Sequence, residues 1–187
     1  MPPRKSRTKF LPTGSHLEAT PAMPPLEARR SSGVCPVHIR WMIRRDMPEV
    51  LGIEEQSFES PWQEEDFIRV LRQRNCIGMV AESFERVVGF MVYELHPNRL
   101  HLLNLAVAAG LRGRLVGCQL VERLISKLSP MRRNRIMLEV RERNVPAQLF
   151  FRALDFRAIS VLQRFYTDTD EDAYLFQYRC QPAAAAP

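Results

Sequence analysis

The segment from His101 to Leu124, HLLNLAVAAGLRGRLVGCQLVERL, holds the residues best suited to bind a phosphate compound. An apolar run ends at Val107, and three glycines and two arginines follow it. Val116 and Leu120 then recur at a helical spacing. A glycine-rich loop at a helix start offers backbone N–H groups at the positive end of the helix dipole, and arginines add charge. The segment therefore predicts a strand, a phosphate-binding loop and a helix.

Glu139 is the second candidate for chemistry. In RIMLEVRERN it lies among apolar residues of a predicted interior strand, where a carboxylate is disfavoured unless it is paired or functional. Two interpretations stay open: a general base, or an ion pair with one of three nearby arginines, which are Arg135, Arg141 and Arg143. Asn144 precedes Val145-Pro146, so it caps a helix or binds a cofactor amide. His101 alternates with leucines and is interpreted as a packed or edge histidine.

Helices and strands that position these residues are predicted from periodicity and capping. Two helices come first, one with a capping box at Asp46 and Glu49 and one with Ser60 as N-cap and Pro61 at its first position. Further helices are predicted after the loop and over 145–154. Strands are predicted at 76–83, 86–95, 99–107, 135–140, 157–166 and 172–179.

This order, two helices, a β meander and then β-α-β-α-β-β, predicts an α/β (α+β) fold. Its sheet is mixed and mostly antiparallel, with six to seven strands flanked by about four helices. A dinucleotide-binding fold would place its glycines after the first strand, and the Gly-Lys-Ser/Thr of a P-loop is absent from the sequence. The expected ligand is a nucleotide-like phosphate ester of another kind.

Composition predicts one domain with a basic tail. The chain has 187 residues, 45% of them hydrophobic, and a net charge of +6. Residues 1–37 carry six basic and two acidic residues and seven of the 14 prolines, so +4 of the charge lies there. We predict disordered tails at 1–37 and 183–187 and a folded domain at 38–182. The four cysteines are far apart, which favours neither zinc nor disulfides, and no segment is typical of a membrane span. A cytoplasmic protein without a metal is expected.

The span from about Ile39 to Cys180 resembles the GCN5-related N-acetyltransferases (GNAT fold). It is most similar to RimI-like enzymes, which acetylate the N-terminal alanine of a ribosomal protein. The resemblance rests on IEEQSFESPW, NLAV before the loop, LEVRERN, LFFRALDF, and FY before the last strand. It implies acetyl-CoA as co-substrate and a protein or peptide N-terminus as acceptor, possibly that of a ribosomal protein. No membrane and no specific nucleic acid are expected as partners.

The resemblance also implies roles for individual residues. The backbone of Leu105, Ala106 and Val107 would bind the pantetheine arm of acetyl-CoA. The pyrophosphate would be wrapped by Arg112, Gly113, Arg114, Leu115, Val116, Gly117 and Cys118. Glu139 takes the place of the general base, and Asn144 that of a cofactor-binding asparagine.

Three residues depart from the family pattern. Leu115 stands where the motif has its first glycine, and Asp155 where a glycine usually closes a helix. Phe151 replaces the tyrosine that protonates the departing thiolate, so it would contact the cofactor without donating a proton. Tyr166 or water would then be the acid. The predicted function is an acetyl-CoA-dependent N-acetyltransferase acting on an N-terminal α-amine. A catalytically silent module that binds acyl-CoA or a partner is the alternative, and a nucleic-acid binder has only the tail's charge in its favour.

Overall fold

The computed structural model describes residues 7–8 and 33–180 and contains eight strands and four α-helices. The strands are β1 Arg7–Thr8, β2 His38–Trp41, β3 Cys76–Ser83, β4 Arg86–Leu95, β5 Leu100–Val107, β6 Arg135–Arg141, β7 Arg157–Tyr166 and β8 Glu171–Arg179. The helices are α1 Met47–Glu55, α2 Glu64–Leu71, α3 Val116–Ile125 and α4 Val145–Arg152. Short 3₁₀ turns lie at Arg44–Asp46 and Ala109–Leu111.

Seven strands form one sheet in the order β2-β3-β4-β5-β6-β8-β7, and β1 pairs with β5 outside this path. Neighbours run antiparallel except β5 with β6 and β1 with β5, which are parallel. The predicted mixed, mostly antiparallel sheet with four helices is confirmed. Among the described helices, none is both long and apolar enough to cross a bilayer.

Helices cover both faces of the sheet. On one face α1 and α2 pack on β4, where the rings of Phe67 and Phe90 meet edge to face with centroids 5.6 Å apart. On the other face α3 and α4 bury Leu120 and Phe151 against Leu138 of β6. Burial of each such side chain contributes about 1.5–3 kcal/mol. These contacts hold the four helices against the two faces of the sheet.

The first helices begin differently from the prediction. The Asp46 carboxylate does not cap α1, because it accepts hydrogen bonds from Arg40 at 2.7 and 2.9 Å and from the Ile43 N–H at 2.8 Å. The bond from Arg40 holds the pKa of Asp46 below its usual range. Helix α2 begins at Glu64 instead of just after Ser60. Strand β2, which the sequence analysis did not predict, pairs with β3.

Residues 1–6, 9–32 and 181–187, which include most of the predicted tails at 1–37 and 183–187, lie outside the described residues. Within the first tail, residues 35–37 pack on α3 and the loop before it. The Cys35 N–H donates to the Arg114 carbonyl at 3.1 Å. The Gln119 side-chain amide bridges the Cys35 carbonyl at 2.9 Å and the Val37 N–H at 3.3 Å. This stretch is joined to the folded domain.

Candidate active site

A gap opens between β5 and β6 at their C-terminal ends. The two strands pair only through Leu100 with Ile136 and His101 with Met137. Farther along, Asn104 and Leu105 of β5 pair with β1 instead. The end of β5 that includes Leu105, Ala106 and Val107 therefore borders this gap.

The loop after β5 leads into α3 through two residues with left-handed backbone, Gly113 (φ 77°) and Leu115 (φ 60°). Helix α3 starts at Val116, and within the described chain no side chain caps it. The N–H groups of a helix's first turn lack intrahelical acceptors, here those of Val116 and Gly117, and they favour an anion. A Cβ on Gly117 would lie 3.2 Å from the Phe150 ring, so a side chain has little room there.

Leu115 occupies a conformation that suits glycine. The left-handed region costs a non-glycine residue roughly 1–2 kcal/mol, while glycine loses more entropy on folding, about 0.5–1 kcal/mol. We expect Leu115→Gly to raise the free energy of unfolding by up to about 1 kcal/mol, or roughly 2–4 °C in Tm. It should also tighten coenzyme A binding if the side chain crowds the loop. Leu111→Gly, at a residue whose φ is not positive, is the control and should lower Tm. An equal fall in Tm in Leu115→Gly and Leu111→Gly would contradict the left-handed conformation assigned to Leu115.

Arg112 and Arg114 differ in their surroundings. Arg112 Nε donates to the Val107 carbonyl at 3.1 Å, and its Nη2 donates to Ser57 Oγ at 2.9 Å. Burial lowers the pKa of Arg112. The guanidinium thus ties the end of β5 to the segment after α1. Arg114 is exposed and is held by its backbone to Cys35.

Glu139 is buried near the base of the gap and pairs with a histidine. It is 6% exposed, and its Oε2 lies 2.8 Å from Nε2 of His101, which is 7% exposed. Arg141, one of the arginines considered as its partner, binds Asp168 and Glu171. A buried carboxylate beside a ring nitrogen is equipped to exchange a proton.

Tyr166 lies against the backbone of Glu139. It is 3% exposed, and its hydroxyl donates to the Glu139 carbonyl at 3.4 Å. The Arg141 guanidinium stacks 3.9 Å from the centre of the Tyr166 ring. Asp168 binds Arg141 at 2.7 Å and accepts from Ser60 Oγ at 3.3 Å. These contacts join the β7–β8 turn to the α1–α2 connection beside Glu139.

Helix α4 carries two further candidates. Asn144 caps it, since its Oδ1 accepts from the Ala147 N–H at 3.2 Å, as predicted. Phe151 is fully buried, with ring centroids 5.0 Å from Phe150 and 5.2 Å from Phe156. Asp155, which closes the helix, has a left-handed φ of 64°. The Phe151 ring thus serves as core in this structure.

The sequence analysis missed a polar group that links α1 to the gap. Glu54 is fully buried; it accepts from the Trp62 N–H at 2.8 Å and from Asn104 Nδ2 at 3.1 Å. Helical spacing puts Glu54 on the same side as Val50, which signals an acidic residue on an apolar face. Its partner Asn104 lies in the middle of β5, fifty positions away in the chain.

Residues 47–156 match the profile of the acetyltransferase (GNAT) family, which is more than half of the chain. The chain belongs to this family. The match includes β5, the glycine- and arginine-containing loop, α3, β6 and α4. The family predicted from the sequence motifs is confirmed.

Two GNAT relatives show how widely the likeness extends. A protein of Bacillus subtilis (strain 168), provisionally assigned as a ribosomal protein bS18-alanine N-acetyltransferase, is 27% identical over 138 residues, which is 73% of this chain and 91% of that protein. An uncharacterised N-acetyltransferase of Methanocaldococcus jannaschii is 31% identical over 150 residues, which is 80% of this chain and 95% of that protein.

Solved GNAT structures have the same fold. The ribosomal-protein-S18-alanine N-acetyltransferase of Escherichia coli superposes with a TM-score of 0.70 at 22% identity, covering 81% of this chain and 99% of that one. NAA60 of Arabidopsis thaliana in complex with acetyl-CoA gives 0.67 at 20% identity, covering 77% and 99%.

Proposed function

We propose that this GNAT protein transfers the acetyl group of acetyl-CoA to the N-terminal α-amine of a protein, with an N-terminal alanine of a ribosomal protein as the first acceptor to test. The observation that carries the proposal is the buried Glu139 carboxylate at a sheet gap whose other side is the end of β5. A base and a phosphate-binding helix start lie at the ends of neighbouring strands. This arrangement supports one active site.

Acetyl-CoA fits the polar groups around this gap. The backbone edge at Leu105, Ala106 and Val107 would bind the pantetheine arm, and the loop and helix start at 113–118, with the Arg114 side chain, would hold the pyrophosphate. The Asn144 amide lies at the next strand end. In the described chain β1 pairs with β5 at Asn104 and Leu105, so an occupant of that edge must compete with it. The reaction calls for no metal.

The chemistry requires removal of one proton and delivery of another. Glu139 takes a proton from the amine, directly or through a water, as the nitrogen attacks the thioester carbonyl carbon. The Val107 N–H donates to the oxygen that becomes negative. The carbon–sulfur bond then breaks and the sulfur takes a proton. Phe151 has none to give, so Tyr166 or water supplies it.

The acceptor class follows from the strength of this base. A terminal α-amine has a pKa of about 7.7–8.0, whereas a lysine amine has about 10.4. A carboxylate base can therefore deprotonate a terminal α-amine more readily than a lysine amine. An α-amine on a ribosomal protein also implies a cytoplasmic site of action. The names of the relatives support this choice of acceptor.

A silent module is the second candidate, because two observations favour it. Leu115 holds a strained conformation in the loop, and Phe151 fills the position of an acid with a packed ring. Such a protein would bind acetyl-CoA without turning it over.

The deciding experiment measures coenzyme A release from acetyl-CoA with a peptide panel. One peptide begins with alanine, a second has the same sequence with a blocked terminus, and a third is blocked but carries a lysine. We expect release with the first alone. Binding of acetyl-CoA without release from any member would identify the silent module, and release with the lysine peptide alone would overturn the acceptor.

Two truncations test the boundary of the tail. Removal of residues 1–32 should leave Tm within about 1–2 °C of the full chain, because few core side chains can come from a proline-rich stretch. It should also leave coenzyme A affinity equal or higher, since β1 no longer occupies β5. Removal of 1–37 should lower Tm, because the contacts of Cys35 and Val37 are lost. A large fall in Tm on removal of residues 1–32 would contradict the interpretation of this segment as a tail outside the folded domain.

A further inference from the structure

Three side chains with metal-binding groups converge on the β4–β5 hairpin, outside the residues assigned to acetyl transfer. Glu94, His96 and His101 come from the segment ELHPNRLH, and Glu94 and His101 are cross-strand partners. One carboxylate oxygen and one ring nitrogen from each histidine all lie within 4.8 Å of one another. The three groups therefore form a local cluster on a single hairpin.

Two nitrogens in this cluster lack hydrogen-bond partners among the described residues. They are Nδ1 of His101 and Nε2 of His96, and both atoms are buried. A buried polar atom without a partner is disfavoured, so two such nitrogens in one cluster point to a ligand. His96 Nε2 lies 3.1 Å from Glu94 Oε2. Two ligands of one tetrahedral zinc ion are about 3.3 Å apart, so this spacing suits neighbouring ligands.

Outer contacts orient two of the three groups for coordination. His101 Nε2 lies 2.8 Å from Glu139 Oε2. In the tautomer that carries its proton on Nε2, this nitrogen donates to the carboxylate and Nδ1 is left as the coordinating atom. Asn75 Nδ2 donates to Glu94 Oε1 at 2.7 Å, which leaves Oε2 to coordinate. A metal-binding histidine that donates its other N–H to a carboxylate is a regular feature of metal sites.

We propose that Glu94, His96 and His101 bind one divalent transition-metal ion, and Zn²⁺ fits the donors best. Two imidazoles and a carboxylate are typical zinc ligands, with water in the fourth position, whereas Mg²⁺ and Ca²⁺ prefer oxygen alone. The bound ion would hold His101 as a hydrogen-bond donor to Glu139 and so connect this site to the catalytic carboxylate.

Zinc titration of the full chain tests the site. The protein carries no polyhistidine tag, is stripped with a chelator, kept reduced, and titrated with Zn²⁺ by calorimetry and with Co²⁺ by visible absorption. We expect one ion per chain. Glu139→Gln, which weakens the outer carboxylate, should lower affinity about 10–100-fold, and His96→Ala should lower it further.

Two variants separate this site from other zinc donors. His38→Ala removes an exposed histidine, and Cys76→Ser removes a thiol that lies opposite Glu94 in the β3–β4 register. Both should bind zinc as the wild type does. Glu94→Gln keeps the side-chain shape and covers the case in which His96→Ala unfolds, which circular dichroism detects. Wild type that takes up no stoichiometric ion, or zinc binding lost only in Cys76→Ser, would overturn the proposal. The readout is binding, so it stands apart from any failure of acetyl transfer.

Discussion

Glu139→Gln should lower the turnover number for acetylation of an alanine-terminated peptide by about 10²–10⁴-fold, the usual contribution of a positioned general base. Glutamine keeps the shape of the side chain and can still accept a hydrogen bond from His101 Nε2, so the fold and the gap should persist. Acetyl-CoA affinity should be nearly unchanged, because the carboxylate acts on the amine. Calorimetry with acetyl-CoA and a coenzyme A release assay measure the two effects separately.

Glu142→Gln is the matched control for this change. Glu142 is exposed just beyond the end of β6, so the same loss of charge occurs close in the chain but outside the gap. Its turnover should equal that of the wild type. If Glu139→Gln also retained full turnover, Glu139 would have no part in the mechanism. If Glu139→Gln lost cofactor affinity in proportion, the residue would be structural.

The acid is tested in the same assay. Tyr166→Phe should slow the reaction if the Tyr166 hydroxyl, 3.4 Å from the Glu139 carbonyl, protonates the leaving sulfur. Phe151→Tyr should then have little effect. If instead Phe151→Tyr accelerates turnover, the missing hydroxyl limits the wild type. The new oxygen must fit among closely packed rings, so Phe151→Tyr raises turnover only if the rings of Phe150 and Phe156 leave room for the hydroxyl.

The strands were predictable because alternation and turn residues are local signals. Strands β3, β4 and β7 have the predicted bounds, and β8 starts one residue earlier than predicted. Helix starts were less predictable where a distant residue competes for the capping group. Asp46 has the right spacing for a capping box, but Arg40 takes its carboxylate. A charged hydrogen bond is roughly twice as strong as a neutral one, so the arginine prevails.

The candidate site was predictable in its residues and not in their pairing. Glu139 was visible as a carboxylate in an apolar strand, but its partner His101 is 38 positions away in the chain. The same holds for Arg112, whose partner Ser57 is 55 positions away. Strand register decides such pairs, and no short-range pattern in the sequence specifies the register of β5 against β6.

Changing both loop arginines, Arg112 and Arg114, to alanine should weaken coenzyme A binding at least tenfold. A charge-assisted contact to phosphate contributes on the order of 1–3 kcal/mol, and every 1.4 kcal/mol is about tenfold in affinity. Arg114 is exposed at the helix start, so Arg114→Ala should remove the proposed phosphate contact without disturbing other described side chains. The loss should shrink at high salt, because an exposed charge is screened.

Arg112→Ala should behave differently from Arg114→Ala, because Arg112 braces Val107 and Ser57. Its loss frees the end of β5, so we expect weaker coenzyme A binding together with a higher KM for the peptide. Arg123→Ala, which removes an exposed arginine from the last turn of the same helix, controls for the charge and should bind coenzyme A normally. Calorimetry of each variant with coenzyme A at two salt concentrations gives the comparison. Unchanged affinity in the double variant would mean that the phosphates bind elsewhere, whereas a loss confined to Arg112→Ala would assign the loop to bracing β5.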